Sequence, residues 1–204
     1  MSRSPKRQVS PEIFRARGDL RRVAILLCLL GPLGGDASAQ SWYGPGLRRI
    51  ERFARYTVTV EDRPFVLYPL AVSFDMERQE TTIWLYIGSE RDRGKKRYFC
   101  PRGALLRDGV SERRFALSRV EGLSIVRRKG ECLEFLAQGS DLEAQARALF
   151  QAVGEHRWKG EGKPPLVPAQ VGLVFFGLPS PRASYLALQL PFGEEILIAT
   201  RDLQ

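Results

Sequence analysis

The sequence is poor in metal ligands and in reactive side chains. It holds one His, three Cys and two Met among 204 residues. A single His excludes a His-rich metal site, and three Cys cannot make a four-thiolate zinc site. No run reaches the roughly 20 apolar residues that a membrane-spanning helix needs. The most apolar stretch, Val23 to Leu30, stops at Gly31-Pro32. The chain also lacks a G-x-S-x-G nucleophile elbow, a calcium loop of D-x-[DN]-x-[DN]-G spacing and an internal repeat of fixed period. Gly160-x-Gly162 runs into Pro164-Pro165, where no helix can start at once, so it is not a phosphate-cradling loop. We therefore expect no metal and no cofactor.

What is present is a foldable composition. Hydrophobic residues make up 44% of the chain, enough to bury a core and to exclude wholesale disorder. The length fits one domain with a small extension. Lys and Arg number 32 against 23 Asp and Glu, a formal net charge of +9.

That charge is unevenly spread. Arg3, Lys6, Arg7, Arg15, Arg17, Arg21 and Arg22 precede the apolar run VAILLCLL, and small residues follow, ending in Ala37-Ser38-Ala39. Basic, apolar and small, in that order, is the pattern of a cleavable secretory signal, with cleavage expected between Ala39 and Gln40. Cys28 is no lipidation site, because bulky Leu26 and Leu27 precede it, and Arg21-Arg22 alone does not define a twin-arginine signal. Residues 1–39 carry seven basic and three acidic residues, or +4, and leave +5 on the 165 residues from 40 to 204. The basicity belongs largely to the address. We expect a periplasmic or secreted protein.

Removing Cys28 with the leader leaves Cys100 and Cys132 as one pair, and an even count in an oxidising compartment predicts a disulfide. The alternative is two free buried thiols.

Periodicity then outlines the exported part. Leu47, Ile50 and Phe53 recur at helical spacing among Arg48, Arg49, Arg52 and Arg55, which predicts a short basic helix over 47–55. Thr57 to Val60 alternates, and residues 65–74 form a long β-rich run in which Pro69 predicts an edge strand or a bulge. Residues 81–87 pair with it as a hairpin, with Trp84 and Tyr86 read as core. Short strands are expected at 97–100, 114–120, 123–126 and 132–136, the last two joined as a hairpin through Gly130. Residues 141–153 are the best helix, with Ser140 and Glu143 as a capping box and Gly154 as a stop. Residues 159–168 read as a linker, followed by a three-strand meander at 171–177, 184–190 and 195–200. The expected fold is α+β: a mainly antiparallel sheet or partly closed β-barrel with one good helix at about 140–154, in one domain over 40–204.

The candidate chemistry is thin. Cys100 or Cys132 with His156 is a conceivable thiol–imidazole pair, but a disulfide consumes both thiols. The carboxylates Glu61-Asp62, Glu194-Glu195 and Asp75/Glu77/Glu80 fall at predicted turns and read as solvated. Three basic clusters remain. Arg48, Arg49, Arg52 and Arg55 form one, and Arg91, Arg93, Lys95, Lys96 and Arg97 a second. The third joins Arg113 and Arg114 to Arg127, Arg128 and Lys129. Guanidinium forks grip phosphate or carboxylate, so residues of the first two clusters are the candidate anion-binding residues. Acidic residues interspersed among them offer ordinary surface pairing instead. The expected function is that of an exported, non-enzymatic binding protein of a bacterial cell envelope. Its partner is expected to be a protein or an anionic envelope component, not nucleic acid, with membrane contact no more than peripheral. The alternatives are a polyanion or membrane-surface binder using the Arg clusters and a hydrolase of envelope polymer.

Overall fold

Alternating β-branched and aromatic residues dominate the chain after Tyr56, and the molecule is built accordingly from strands. The structure is a computed structural model and describes residues 42–60, 63–122, 132–155, 169–193 and 195–204, all within one compact unit, Asp36–Gln204. The expected signal segment, the strand at 123–126, the turn at 127–130, His156 and the 159–168 linker lie outside the described residues, as do Glu61, Asp62 and Glu194.

The strands are β1 (Gly46–Arg49), β2 (Tyr56–Val60), β3 (Arg63–Asp75), β4 (Glu80–Gly88), β5 (Lys96–Phe99), β6 (Leu105–Asp108), β7 (Arg114–Gly122), β8 (Leu133–Leu136), β9 (Gln170–Phe176), β10 (Tyr185–Gln189) and β11 (Glu195–Ala199). Among the described residues there is one α-helix, α1, spanning Leu142–Glu155. The main sheet is antiparallel in the order β1-β3-β4-β9-β7-β6-β10-β11, with β2 also on β3, and β5 and β8 form a separate ribbon. The sheet curls into a half-barrel, so the α+β reading with a partly closed barrel holds.

The two ends of the strand order meet through the last residues of the chain. After β11 a 3-10 turn at Thr200–Asp202 sends the chain back to β1. Arg49 N donates to Gln204 O at 2.9 Å, Gln204 N to Arg49 O at 3.0 Å and Glu51 N to Asp202 O at 2.7 Å. Ile50 and Leu203 complete an antiparallel bridge, and the Tyr56 hydroxyl donates to Leu197 O at 3.3 Å. Backbone groups at the edge, which would otherwise face another chain, are thereby paired within the molecule.

This closure explains a correction. Residues 47–55 are not a helix: Gly46–Arg49 is strand β1, in register with Phe74 to Ala71 of β3. Two turns of helix are marginal alone, whereas the edge of β3 on one side and the carboxyl-terminal residues on the other offer ready hydrogen-bond partners. Tertiary pairing wins over local spacing.

Pro69 marks a bulge. The register of β3 with β4 shifts between Pro69 and Ala71, and β3 is an interior strand flanked by β1 and β2 on one edge and β4 on the other. The carboxyl-terminal meander is also corrected. Strand β9 lies between β4 and β7, and only β10 and β11 form a hairpin, with β10 resting on β6. Strand β8 pairs with β5. Cys100 and Cys132 stand one register step beyond the Phe99–Leu133 pair and are bonded, with sulfurs 2.00 Å and Cα atoms 4.2 Å apart. The cross-link fixes the end of that ribbon; the expected hairpin partner at 123–126 lies outside the described residues.

Both faces of β3 are covered. On one, Phe65 meets Phe99 at 6.4 Å and Phe135 at 5.8 Å, bringing the β5–β8 ribbon onto the core. On the other, Tyr68 stacks under Phe53 at 4.9 Å, Phe150 of α1 meets Phe53 edge-on at 5.3 Å, and the Tyr86 hydroxyl donates to Gln145 at 2.9 Å. The helix can seat this closely because Gly88 has no side chain; a Cβ there would overlap Leu142. Trp84 and Tyr86 are core, as read from the strand pattern. Helix α1 is entered through a 3-10 turn at Gly139–Asp141 that contains Ser140.

Two outcomes test this architecture. Leu203 is 5% exposed at the closure, so Leu203→Ala is expected to lower unfolding stability by about 2–4 kcal/mol in urea titration. An unchanged midpoint would mean the closure contributes nothing. Reducing the Cys100–Cys132 bond, which spans 32 positions, is expected to cost about 3–4 kcal/mol on the chain-entropy model. Intact mass before reduction should be lower by the two thiol hydrogens.

Candidate functional site

The alternation of β4 and β7 puts every second side chain on the outer face of the sheet, and these outer residues contribute to a concavity. Trp84, Thr82 and Glu80 point outward from β4, Ser73 from β3, and Arg119 and Glu121 from β7. They line a groove of about 510 Å³. Pro45 and Gly46 form one wall with Phe74, which packs on Trp42 at 5.8 Å and on Tyr43 at 5.7 Å. The β3–β4 turn supplies Asp75, Met76, Glu77 and Arg78.

The floor requires a glycine. Gly172 of β9 faces Trp84 across the ladder, and a Cβ there would sit 2.8 Å from the indole ring and 3.0 Å from Thr82. The bare backbone lets the indole lie across the sheet, where its N–H donates to Ser73 Oγ at 3.0 Å. Trp84 is fully buried, so both its ring and its one polar atom are satisfied.

An ionic network crosses the groove. Arg119 reaches over β9 to Glu80, which it grips through both terminal nitrogens, one of them 2.8 Å from Glu80 Oε2. The same guanidinium donates to Glu121 Oε1 from Nε at 3.3 Å and from a terminal nitrogen at 3.2 Å. A fork of this geometry suits two carboxylates. Hydrogen bonding from Arg119 holds the Glu80 carboxyl below its ordinary value of 4.5, against the opposing effect of burial. Glu80 is therefore a fixed anion. A glycosidase general acid needs the reverse, a carboxyl whose proton is retained by an apolar site. Nearby, Asp75 accepts from the N–H groups of Glu77 at 3.1 Å and Arg78 at 2.9 Å, which fixes the tight turn.

Glu80 is the residue that sequence reasoning misplaced. Read as part of a solvated turn with Asp75 and Glu77, it is 9% exposed and belongs to the strand. Arg119, Glu121 and Gly172 carried no local signal, because their partners are brought from β4 by the sheet order. Glu195, also read as a solvated turn residue, pairs with Arg107 at 2.9 Å.

The basic candidates are distributed as follows. Arg48 donates to the carbonyls of Trp42 at 3.2 Å and Leu47 at 3.3 Å. Arg49 lies over the Phe150 ring at 5.8 Å, and Arg52 is exposed. Arg55 pairs with Glu90 at 3.0 Å, which brings the first cluster against the second. In the second, Arg91 is exposed, Arg93 pairs with Asp141 at 2.9 Å, Lys95 with Asp92 at 3.3 Å and Lys96 with Glu134 at 2.8 Å. Arg97 is buried against Asp92. The loop that carries them is laced to the residues before α1: Gly94 N donates to Ala137 O, Ala137 N to Lys95 O, and Gly139 N to Ser89 O, at 2.8, 2.9 and 3.1 Å. The charges of this cluster largely serve that docking. Arg113, of the third cluster, lies over Phe115 at 5.3 Å.

A second buried carboxylate has a structural task. Asp108 is fully buried at the end of β6 and accepts from the N–H groups of Val110 at 3.1 Å, Ser111 at 2.5 Å and Ser180 at 3.1 Å, and from the Ser111 hydroxyl at 2.5 Å. Burial works to raise its pKa, and these four hydrogen bonds together outweigh it and hold the carboxyl below 3.8. The β6–β7 turn is thereby pinned to the segment after β9.

Among the described residues no three His, Cys, Asp or Glu side chains converge as a metal cage, and no helix is long and apolar enough to cross a membrane. The disulfide leaves neither Cys100 nor Cys132 as a free thiol. Comparison with protein-family models, with curated proteins and with solved structures finds no match.

The network makes a pH-dependent prediction. Because the folded pKa of Glu80 is depressed, its stabilising effect is complete above 4.5 and is lost as pH falls through the folded value. Glu80→Gln is expected to cost about 1–3 kcal/mol at pH 7. The gap between variant and parent should close on acidification below 4.5; a gap independent of pH would contradict the assignment.

Proposed function

We propose that this protein is exported through residues 1–39 and acts in the bacterial cell envelope as a binding protein, with the groove over Trp84 as its recognition site. The observation that carries this reading is the groove. Its volume of about 510 Å³ lies within the range typical of ligand sites, and its charged groups are held in a fixed network above the buried Trp84. Arg119 is held by Glu80 and Glu121, so these polar groups lose little freedom on binding. The address is supported by the order of basic, apolar and small residues ahead of Gln40 and by a disulfide, a bond that persists in oxidising compartments.

A specific arrangement favours a second reading, contact with a polyanion. Arg49 and Arg147 lie over the rings of Phe150 and Phe53, at 5.8 and 4.6 Å, with the exposed Arg52 on the adjoining segment. Stacked guanidinium groups keep hydrogen-bonding edges available for phosphate or carboxylate. Arg147 already engages Glu143 at 3.0 Å and Arg55 engages Glu90, so the groove is the stronger candidate.

Two measurements test the proposal. Fractionation of expressing cells should place the protein outside the cytoplasmic membrane, with amino-terminal sequencing beginning at Gln40; an uncleaved cytoplasmic chain would overturn the address. Envelope extract should contain a fraction that raises the melting temperature of the parent protein but not of Thr82→Trp, which fills the groove. Equal stabilisation of both proteins would remove the groove from the function.

A further inference from the structure

The seam of the curled sheet is zipped at one end and open at the other. Beside β1, the carboxyl-terminal residues pair with Arg49 and Glu51, and Ile50 bridges to Leu203. Further along, β2 and β11 approach each other without a ladder between them. Among the described residues they are joined by one hydrogen bond, from the Tyr56 hydroxyl to Leu197 O at 3.3 Å, and a side chain makes it.

The direction of each backbone group at the seam follows from the register. Thr200 N donates to Ser184 O at 3.1 Å, so Leu186–Ile198 and Leu188–Ile196 are the hydrogen-bonded pairs of β10 and β11. Glu195, Leu197 and Ala199 therefore turn their N–H and C=O groups away from β10, as the Tyr56 bond to Leu197 O requires. On the other side, Pro64 has no N–H and stands opposite Thr59, so Thr57 and Thr59 are the non-bonded positions of β2 on β3. Their N–H and C=O groups face the seam. Among the described residues, Leu197 O alone of these groups has a partner. Thr57 and Thr59 are exposed and Leu197 is 54% exposed, while Tyr56, Val60 and Phe192, just ahead of β11, are only partly covered. None of these residues lines the groove over Trp84.

An edge of unpaired donors and acceptors is a template for another strand, and here two such edges flank one opening. We propose that the open stretch between β2 and β11 receives an extended segment of a partner polypeptide. The segment adds to the sheet as a strand, bonded through its backbone to Thr57 and Thr59 on one side and to Leu197 and Ala199 on the other. Its alternate side chains face inward to Tyr56, Val60 and Phe192 and are apolar; the others face water. Its entry replaces the Tyr56 hydroxyl as the partner of Leu197 O. The β2 and β11 strands of a second copy are each bonded to a neighbour in their own sheet, so neither fits between two further strands.

The test uses the purified protein with the peptide Lys-Val-Thr-Val-Thr-Val-Lys and a control in which the central Val is Pro. Binding is read by NMR from amide hydrogen exchange at Thr57, Thr59, Leu197 and Ala199. These amides are expected to exchange freely in the protein alone and to slow saturably with the alternating peptide. Tyr56→Phe removes the hydroxyl that competes for Leu197 O and should tighten binding about two- to ten-fold. Leu197→Pro removes an outward N–H and no bond to β10, and should weaken binding by about the same factor. Protection of the Ile196 and Ile198 amides checks that this variant keeps its sheet, and Tyr56→Phe carries the test if it does not. Slow exchange at the seam in the protein alone means that its own chain already fills the opening, and overturns the proposal. So does absence of peptide binding, equal binding of the Pro peptide, or binding that leaves these amides unchanged and moves the Trp84 indole N–H instead.

Discussion

The bend in β3 between Pro69 and Ala71 is the constraint on which the other parts depend. Before the bend β3 is paired with β2 and after it with β1, so one strand serves two partners on the same edge. The bulge also changes which alternate residues share the outer face: Tyr68, opposite Tyr86, meets Phe53, whereas Ala71 and Ser73 stand opposite Trp84 and Thr82, and Ser73 lines the groove. Proline suits the site because it cannot donate to the ladder, and the bulge removes that demand.

Charge is used in two ways in this molecule, and burial distinguishes them. The exposed pairs Arg55–Glu90, Arg93–Asp141 and Lys95–Asp92 join segments at the surface, where water screens each pair to a small net effect. Glu80 and Asp108 are different. Each is nearly or fully withdrawn from water and is surrounded by donors that keep it ionised. Asp108 spends its capacity on backbone N–H groups and so belongs to the scaffold. Glu80 spends it on Arg119, a side chain that also lines a cavity, and so belongs to the candidate site. A groove edged by fixed charges is suited to selecting a ligand by charge as well as by shape.

The disulfide and the short ribbon it closes depend on each other. The β5–β8 ribbon has only four pairs of residues, and its inner face must hold Phe99 and Phe135 against Phe65. A short ribbon of this kind is marginal in water. The disulfide at its end removes much of the freedom of the open chain.

How much was legible in the residues follows from the range of the forces involved. Alternation from Tyr56, the Pro69 irregularity, the helix after Ser140 and the pairing of Cys100 with Cys132 were readable because each rests on local periodicity or on counting. The expected helix at 47–55 failed because two turns of helical spacing carry less free energy than hydrogen bonds to β3 and to Gln204, whose positions no local pattern reveals. The groove failed for the same reason. Arg119 and Glu80 are 39 positions apart and meet only because β9 is inserted between β4 and β7. By itself, then, the sequence determined an α+β chain with an antiparallel sheet, a disulfide pair and a leader-like beginning. Only the tertiary structure decided which strands are neighbours, and therefore which charges share a site, because side chains on one sheet face interact across the ladder regardless of their separation along the chain.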